Sequence, residues 1–232
     1  MPAVKPIFTK DSFAFLKDLK KHNRKVWMDA NRERYQRVLA GPFRRLLEET
    51  SQSILAIDER FDVRGRKNFS RINRDIRFSK DKTPYRAQMY LKFCVPIDGD
   101  RKTGELYLGL SADTVTVGFR IYSGAKHKES VLSVIAGQRL VQNPDWVVAS
   151  KKRLGKRYES YWYATPKGVW TKQPGWPKEP QDWKRMRGWI VRKKLRTSAV
   201  LKAEFPRELC KAFRELYPLL QFTGLADQSR LP

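Results

Sequence analysis

The chain has 232 residues, 41% of them hydrophobic, which fills the core of one generous domain or two small ones and excludes a disordered polyelectrolyte. Its 49 Lys and Arg against 24 Asp and Glu leave a net charge of +25 and point to a partner of opposite sign. Two cysteines (Cys94, Cys210) and two histidines (His22, His127) exclude a disulfide framework and a Cys/His metal cluster, and no run of roughly 18 apolar residues is present to cross a membrane.

Phe13, Leu16 and Leu19 recur behind Thr9 and Asp11, either of which can cap a helix start, so the first element is read as a helix. A polar break at His22, Asn23 and Arg24 precedes a second helical stretch from about Trp27, carrying Tyr35, Val38, Leu39, Phe43, Leu46 and Leu47. Gly41 and Pro42 interrupt it, which predicts a kink or two helices with Pro42 near the start of the second. Further on the period falls to two: Met89, Leu91, Phe93 and Val95 alternate with Tyr90, Lys92 and Cys94. Residues 105–110 and 114–122 read as strands joined by a tight turn, and residues 131–140 as a helix. Residues 158–163 and 189–193 suggest strands around a loop punctuated by Pro166, Pro174, Pro177 and Pro180. Pro206, Leu209, Ala212, Phe213, Leu216 and Leu220 mark a C-terminal helix. The expected fold is a single α+β domain over residues 1–232, with N-terminal helices, a central, mostly antiparallel sheet and a C-terminal helix.

Basic residues outnumber acidic ones 25 to 15 up to residue 116 and 24 to 9 after it, so the excess is spread and suits a broad electrostatic surface. It is densest between Arg64 and Arg86, with nine basic and two acidic residues in 23 positions. As a strand, residues 71–79 would place Arg71, Asn73, Asp75, Arg77 and Ser79 on one face and Ile72, Arg74, Ile76 and Phe78 on the other. Asp75, held ionised between guanidinium groups, would orient their planes, and fixed planar forks suit a phosphate or carboxylate. Arg71, Arg74, Arg77, Lys80, Lys82 and Tyr85 are therefore the candidate anion-binding residues. The alternative is an internal network in which Asp75 and Asp81 neutralise the cations.

The pattern Arg71-x-x-Arg74-Asp75-x-Arg77-Phe78-x-x-Asp81-Lys82-x-x-Tyr85 resembles the signature of the DUF2461 family of bacterial and fungal proteins. Phe15-Leu16, Trp27, Asn31, Tyr35, Gly124 and Pro218-Leu219 extend the resemblance over most of the chain. Residues 151–196 depart from it in their density of Trp, Lys and Arg. The resemblance implies a compact α+β domain. Since the family is a domain of unknown function, it implies neither reaction nor ligand.

A second candidate surface combines Lys151, Lys152, Arg153, Lys156, Arg157, Trp162, Lys184, Arg185, Arg187, Arg192, Lys193 and Lys194. Such cations can neutralise backbone phosphates while aromatic rings stack unpaired bases. The alternative is that the tryptophans fill a core and the lysines coat it. Trp27 reads as a core anchor, and both cysteines as inert thiols. Asp75, Asp81 and His127 are weak catalytic candidates, because no phosphate-cradling glycine loop, nucleophile elbow or paired metal ligands accompany them.

Three readings follow: non-sequence-specific binding of nucleic acid or another polyanion; an enzyme acting on a small phosphorylated or carboxylated substrate with an Arg/Lys clamp and Asp75 as base; and a charged scaffold. No cofactor, metal or membrane is expected. Because the first eight residues lack the apolar run of a secretory signal, a cytoplasmic location is expected.

Overall fold

The computed structural model describes residues 5–77, 80–95, 104–122, 131–165 and 169–224. It is α+β, with N-terminal helices, a central antiparallel sheet of six strands and a C-terminal helix. Helix α1 (Lys10–Lys21) starts behind Thr9, whose N–H donates to Ser12 Oγ at 3.1 Å, and buries Phe13, Phe15, Leu16 and Leu19. After the break come α2 (Lys25–Ala30), α3 (Arg32–Tyr35), a π-helical turn (Gln36–Ala40) and α4 (Gly41–Leu55). Pro42 lies in the first turn of α4, directly after the π-helical turn. A Cβ on Gly41 would fall 2.8 Å from the Gln36 carbonyl oxygen, so the wide turn closes only over glycine.

The sheet contains β1 (Gln88–Phe93), β2 (Glu105–Ser111), β3 (Val115–Tyr122), β4 (Glu159–Ala164), β5 (Thr171–Pro174) and β6 (Met186–Leu195), in the order β1-β2-β3-β6-β4-β5. The β2–β3 connection is the expected hairpin, with the Ser111 N–H donating to the Thr114 carbonyl at 2.9 Å. Strand β6 pairs antiparallel with β4, Tyr161 opposite Ile190 and Trp162 opposite Trp189, until an irregularity after Tyr163 leaves Arg187 without an opposite number. The remaining helices are α5 (Val131–Gln142), α6 (Trp146–Leu154), α7 (Pro180–Arg185), α8 (Thr197–Val200) and α9 (Phe205–Thr223). Helices α6 and α7 and strand β5 occupy stretches that the sequence left as loop or unassigned. Ser123, Gly124, His127 and Pro166 lie outside the described residues.

Two compact units divide the chain. The first is Met1–Phe93 with Tyr107–Val117 and Lys194–Lys211; the second is Cys94–Leu106 with Gly118–Lys193 and Ala212–Pro232. In the first, Phe8 meets Phe43 edge-on at 5.2 Å and Phe205 at 6.4 Å, and both Phe8 and Phe43 are fully buried. Each such ring contributes about 1.5–3 kcal/mol through burial. Trp27 is half-buried there, 5.6 Å from Phe15 and 6.1 Å from His22.

The second unit is built around Trp189, which is wholly buried and contacted edge-on by Phe119, Trp146, Trp176 and Trp183 at 5.4–6.4 Å. Its indole N–H donates to Ser160 Oγ at 2.9 Å, so the polar edge is satisfied. Trp146 stacks on Phe222 at 3.6 Å. Most of the C-terminal tryptophans are thus core.

Candidate anion-binding site

The basic segment is a loosely laddered hairpin rather than a regular strand. Isolated antiparallel bridges pair Phe69 with Leu91 and Asn73 with Tyr85. On either side of the second bridge the Arg86 N–H donates to the Ile72 carbonyl and the Arg74 N–H to the Pro84 carbonyl, both at 2.8 Å. The expected alternation holds from Arg71 to Asn73, with Ile72 buried between exposed neighbours, and fails at Ile76 and Arg77, which are both exposed. Phe78 and Ser79 lie outside the described residues.

Side chains near the base of this hairpin fix it. Asn68, 2% exposed, donates to the Asp62 carbonyl at 2.6 Å and the Lys92 carbonyl at 2.9 Å, and accepts from the Gly65 N–H at 3.0 Å. Gly65 has φ +92°, a conformation that glycine adopts without strain. At the other end Asn23 clasps Tyr85, donating to its carbonyl at 2.8 Å and accepting from its N–H at 3.0 Å. The Tyr85 side chain is buried.

Both acids of the segment are engaged locally. Asp75 takes the Nε and Nη2 of Arg77 at 3.0 and 2.8 Å, a bidentate fork on an exposed loop. Asp81 takes Arg74 Nη1 at 2.9 Å and the Thr83 hydroxyl at 2.7 Å, and Lys82 Nζ donates to the Ile76 carbonyl at 2.9 Å. The Arg74 Nε is buried with no acceptor among the described residues. The Arg77 hydrogen bonds hold the Asp75 carboxyl below its ordinary range, and the Thr83 hydroxyl and N–H do the same for Asp81. Carboxylates held in this way are weaker bases than free ones, so the group is better suited to electrostatic attraction than to proton transfer.

Asp62 takes a further base of the segment, Arg64, at 2.9 Å. Of the nine bases, the remaining six, Arg66, Lys67, Arg71, Lys80, Lys82 and Arg86, are exposed and have no ion-pair partner among the described residues.

The second candidate group divides. On α6 and just beyond it, Lys151, Lys152, Arg153 and Lys156 are exposed and unpaired among the described residues. Arg157 binds Glu215 at 2.5 Å, and the Tyr158 hydroxyl donates to the same carboxylate at 2.6 Å. Burial works against ionisation of Glu215, but the hydrogen bonds from Tyr158 and Arg157 outweigh it and keep the carboxyl below its ordinary value. Lys184 is exposed on α7, Arg185 pairs with Asp182 at 3.1 Å, and Arg187 reaches Thr165 Oγ at 3.3 Å. Arg192 pairs with Glu159 at 2.5 Å, Lys193 lies 5.3 Å from the Tyr158 ring centre, and Lys194 is exposed. Trp162 is 5% exposed, on the core side of β4, and offers no ring face to a base.

The sequence reading missed an aromatic cluster on the other side of β4. Tyr122, Tyr163 and Trp170 lie 5.9–6.3 Å apart, and Lys172 Nζ sits 3.9 Å from the Tyr161 ring centre. The alternation Tyr161, Trp162, Tyr163 was the available signal.

A family model described as a conserved hypothetical protein (DUF2461) matches residues 11–222, which takes in the hairpin, all six strands and nearly all of α9. The chain belongs to the DUF2461 family. No curated protein matches the sequence. Among its described residues this DUF2461 chain has no group of His, Cys, Asp and Glu placed to hold a metal ion, and no helix long and apolar enough to cross a membrane.

Proposed function

We propose that this DUF2461 protein is a cytoplasmic binder of polyanions, with nucleic acid as the principal ligand, held by phosphate contacts rather than by base readout. One observation carries the reading: the two acids within the hairpin each occupy one arginine, and six exposed cations there are left without a carboxylate among the described residues. Exposed cations with no ion-pair partner surrender little on meeting phosphates, and each phosphate neutralised releases a condensed counterion. Lys151, Lys152, Arg153 and Lys156 form a separate exposed group in the second unit.

Filter binding to DNA over a salt series tests the proposal. The logarithm of the binding constant should fall linearly with the logarithm of salt concentration, by about 0.9 per phosphate contacted on a duplex. Replacing Arg71, Lys80 and Arg86 together by Ala removes side chains that pair with nothing described, so the fold is retained while affinity and slope both drop. Weak binding that ignores salt, or a triple variant with an unchanged slope, refutes the proposal.

A further inference from the structure

Tryptophan and tyrosine rings normally end up buried or with only a polar edge in water. In the second unit, Tyr122 at the end of β3 is 38% exposed and Trp170 is 42% exposed, beside Val169 at 65%. Tyr163 on β4 touches both rings, and Tyr161 lies 5.9 Å from Tyr163 on the same strand face. The backbone is shaped for this cluster. Gly188 stands opposite Tyr163, and a Cβ there would fall 2.6 Å from Tyr122 Cδ1, so the Tyr122 ring rests on bare main chain. The neighbouring irregularity at Arg187 is of the kind that re-aims side chains beside binding sites.

Cations flank the rings. Lys172 is exposed beside Tyr161, and Arg192 lies 5.0 Å from the same ring centre. Glu159 engages Arg192, so the local balance stays positive.

We infer that this face stacks the unpaired bases of a single-stranded nucleic acid, with Trp170 and Tyr122 as platforms and Lys172 on the adjoining phosphate. The inference rests on the phosphate-binding reading and deepens it by naming the strand class. Every base has a π-face, so stacking tolerates any sequence, whereas a duplex keeps those faces covered and can offer this protein only its phosphates.

The test compares a short oligothymidylate with an abasic strand of equal length, which carries the same phosphates and no bases, following both affinity and tryptophan fluorescence. The wild type should bind the thymidylate about tenfold more tightly than the abasic strand and show quenching with the thymidylate alone. Trp170→Ala should reduce the thymidylate to the abasic affinity, and Trp170→Phe should restore most of the difference. Trp170 is exposed, so neither substitution opens the core.

Equal, salt-dependent binding of both strands by the wild type overturns the stacking inference and leaves the phosphate reading standing. Binding of neither strand overturns both. Self-association that Trp170→Ala abolishes, without base preference, reassigns this face to a second copy of the chain and also overturns the inference.

Discussion

Among the described residues, a carboxylate that takes both the N–H and the guanidinium of the arginine two positions later occurs three times: Asp58 with Arg60, Asp62 with Arg64 and Asp75 with Arg77. In each, one carboxylate oxygen accepts the backbone N–H and Nε, while the other accepts Nη2. Burial separates their consequences. Asp75 is exposed, whereas the Asp62 side chain is 6% exposed and the Arg64 hydrogen bonds pull its pKa down to about 2. A carboxyl depressed in the folded state contributes stability that is fully present above its unfolded value, about 3.9, and is lost as pH falls through the folded one. Asp62→Asn should therefore lower Tm by about 2–4 °C at pH 7 and leave it close to wild type near pH 2. A Tm difference that persists at the acid end would show that the charge of Asp62 is not what matters. The excess of cations was legible from residue counts, but the pairing was not. Asp75 was expected between several guanidinium groups and takes Arg77 at two-residue spacing.

Where apolar period and burial coincide, elements could be read from sequence: α1 buries Phe13, Leu16 and Leu19, β1 buries alternate residues, and α9 buries Leu209, Phe213 and Leu216. Elements without that coincidence were lost. Helix α6 buries only Ser150 and Leu154, so it has no stripe to detect, and in α7 Pro180 starts a helix instead of breaking a chain. The hairpin was hidden for another reason, since polar side chains with no periodic signature hold it. Asn68 makes three hydrogen bonds in a buried setting, and removing its amide leaves the Asp62 and Lys92 carbonyls and the Gly65 N–H short of a partner. Asn68→Ala should cost about 1–3 kcal/mol in denaturant unfolding with an unchanged m-value. It should also weaken DNA binding more than its neutral side chain would suggest, because the cations beyond it lose their fixed spacing. An Asn68→Ala protein of wild-type stability would mean that the hairpin is anchored elsewhere, with the Asn23 clasp on Tyr85 as the next candidate.

Across the whole molecule, the charge lies within the stretch that matches the family and not in an appended tail: residues 11–222 carry 46 of the 49 basic and 23 of the 24 acidic residues. Arginine and lysine supply that excess, and the sequence isoelectric point near 10.3 leaves the protein cationic throughout the neutral range. Affinity for a polyanion should accordingly stay flat between about pH 6 and 9 and decline only where lysine begins to lose its proton, near 10. The two proposed modes then come apart by competition. Heparin, a polyanion without bases, meets the exposed cations of the hairpin and of α6 but has no planar base to lay on Trp170. At low salt it should displace a bound oligonucleotide from the protein and reverse the quenching that the oligonucleotide caused, without quenching Trp170 when added alone. Heparin that fails to compete would mean that long-range charge is not the attractive force, and the +25 would then need another explanation. Heparin that quenches the fluorescence as thymidylate does would remove stacking as the cause of the signal, since a polymer without aromatic rings has nothing to stack.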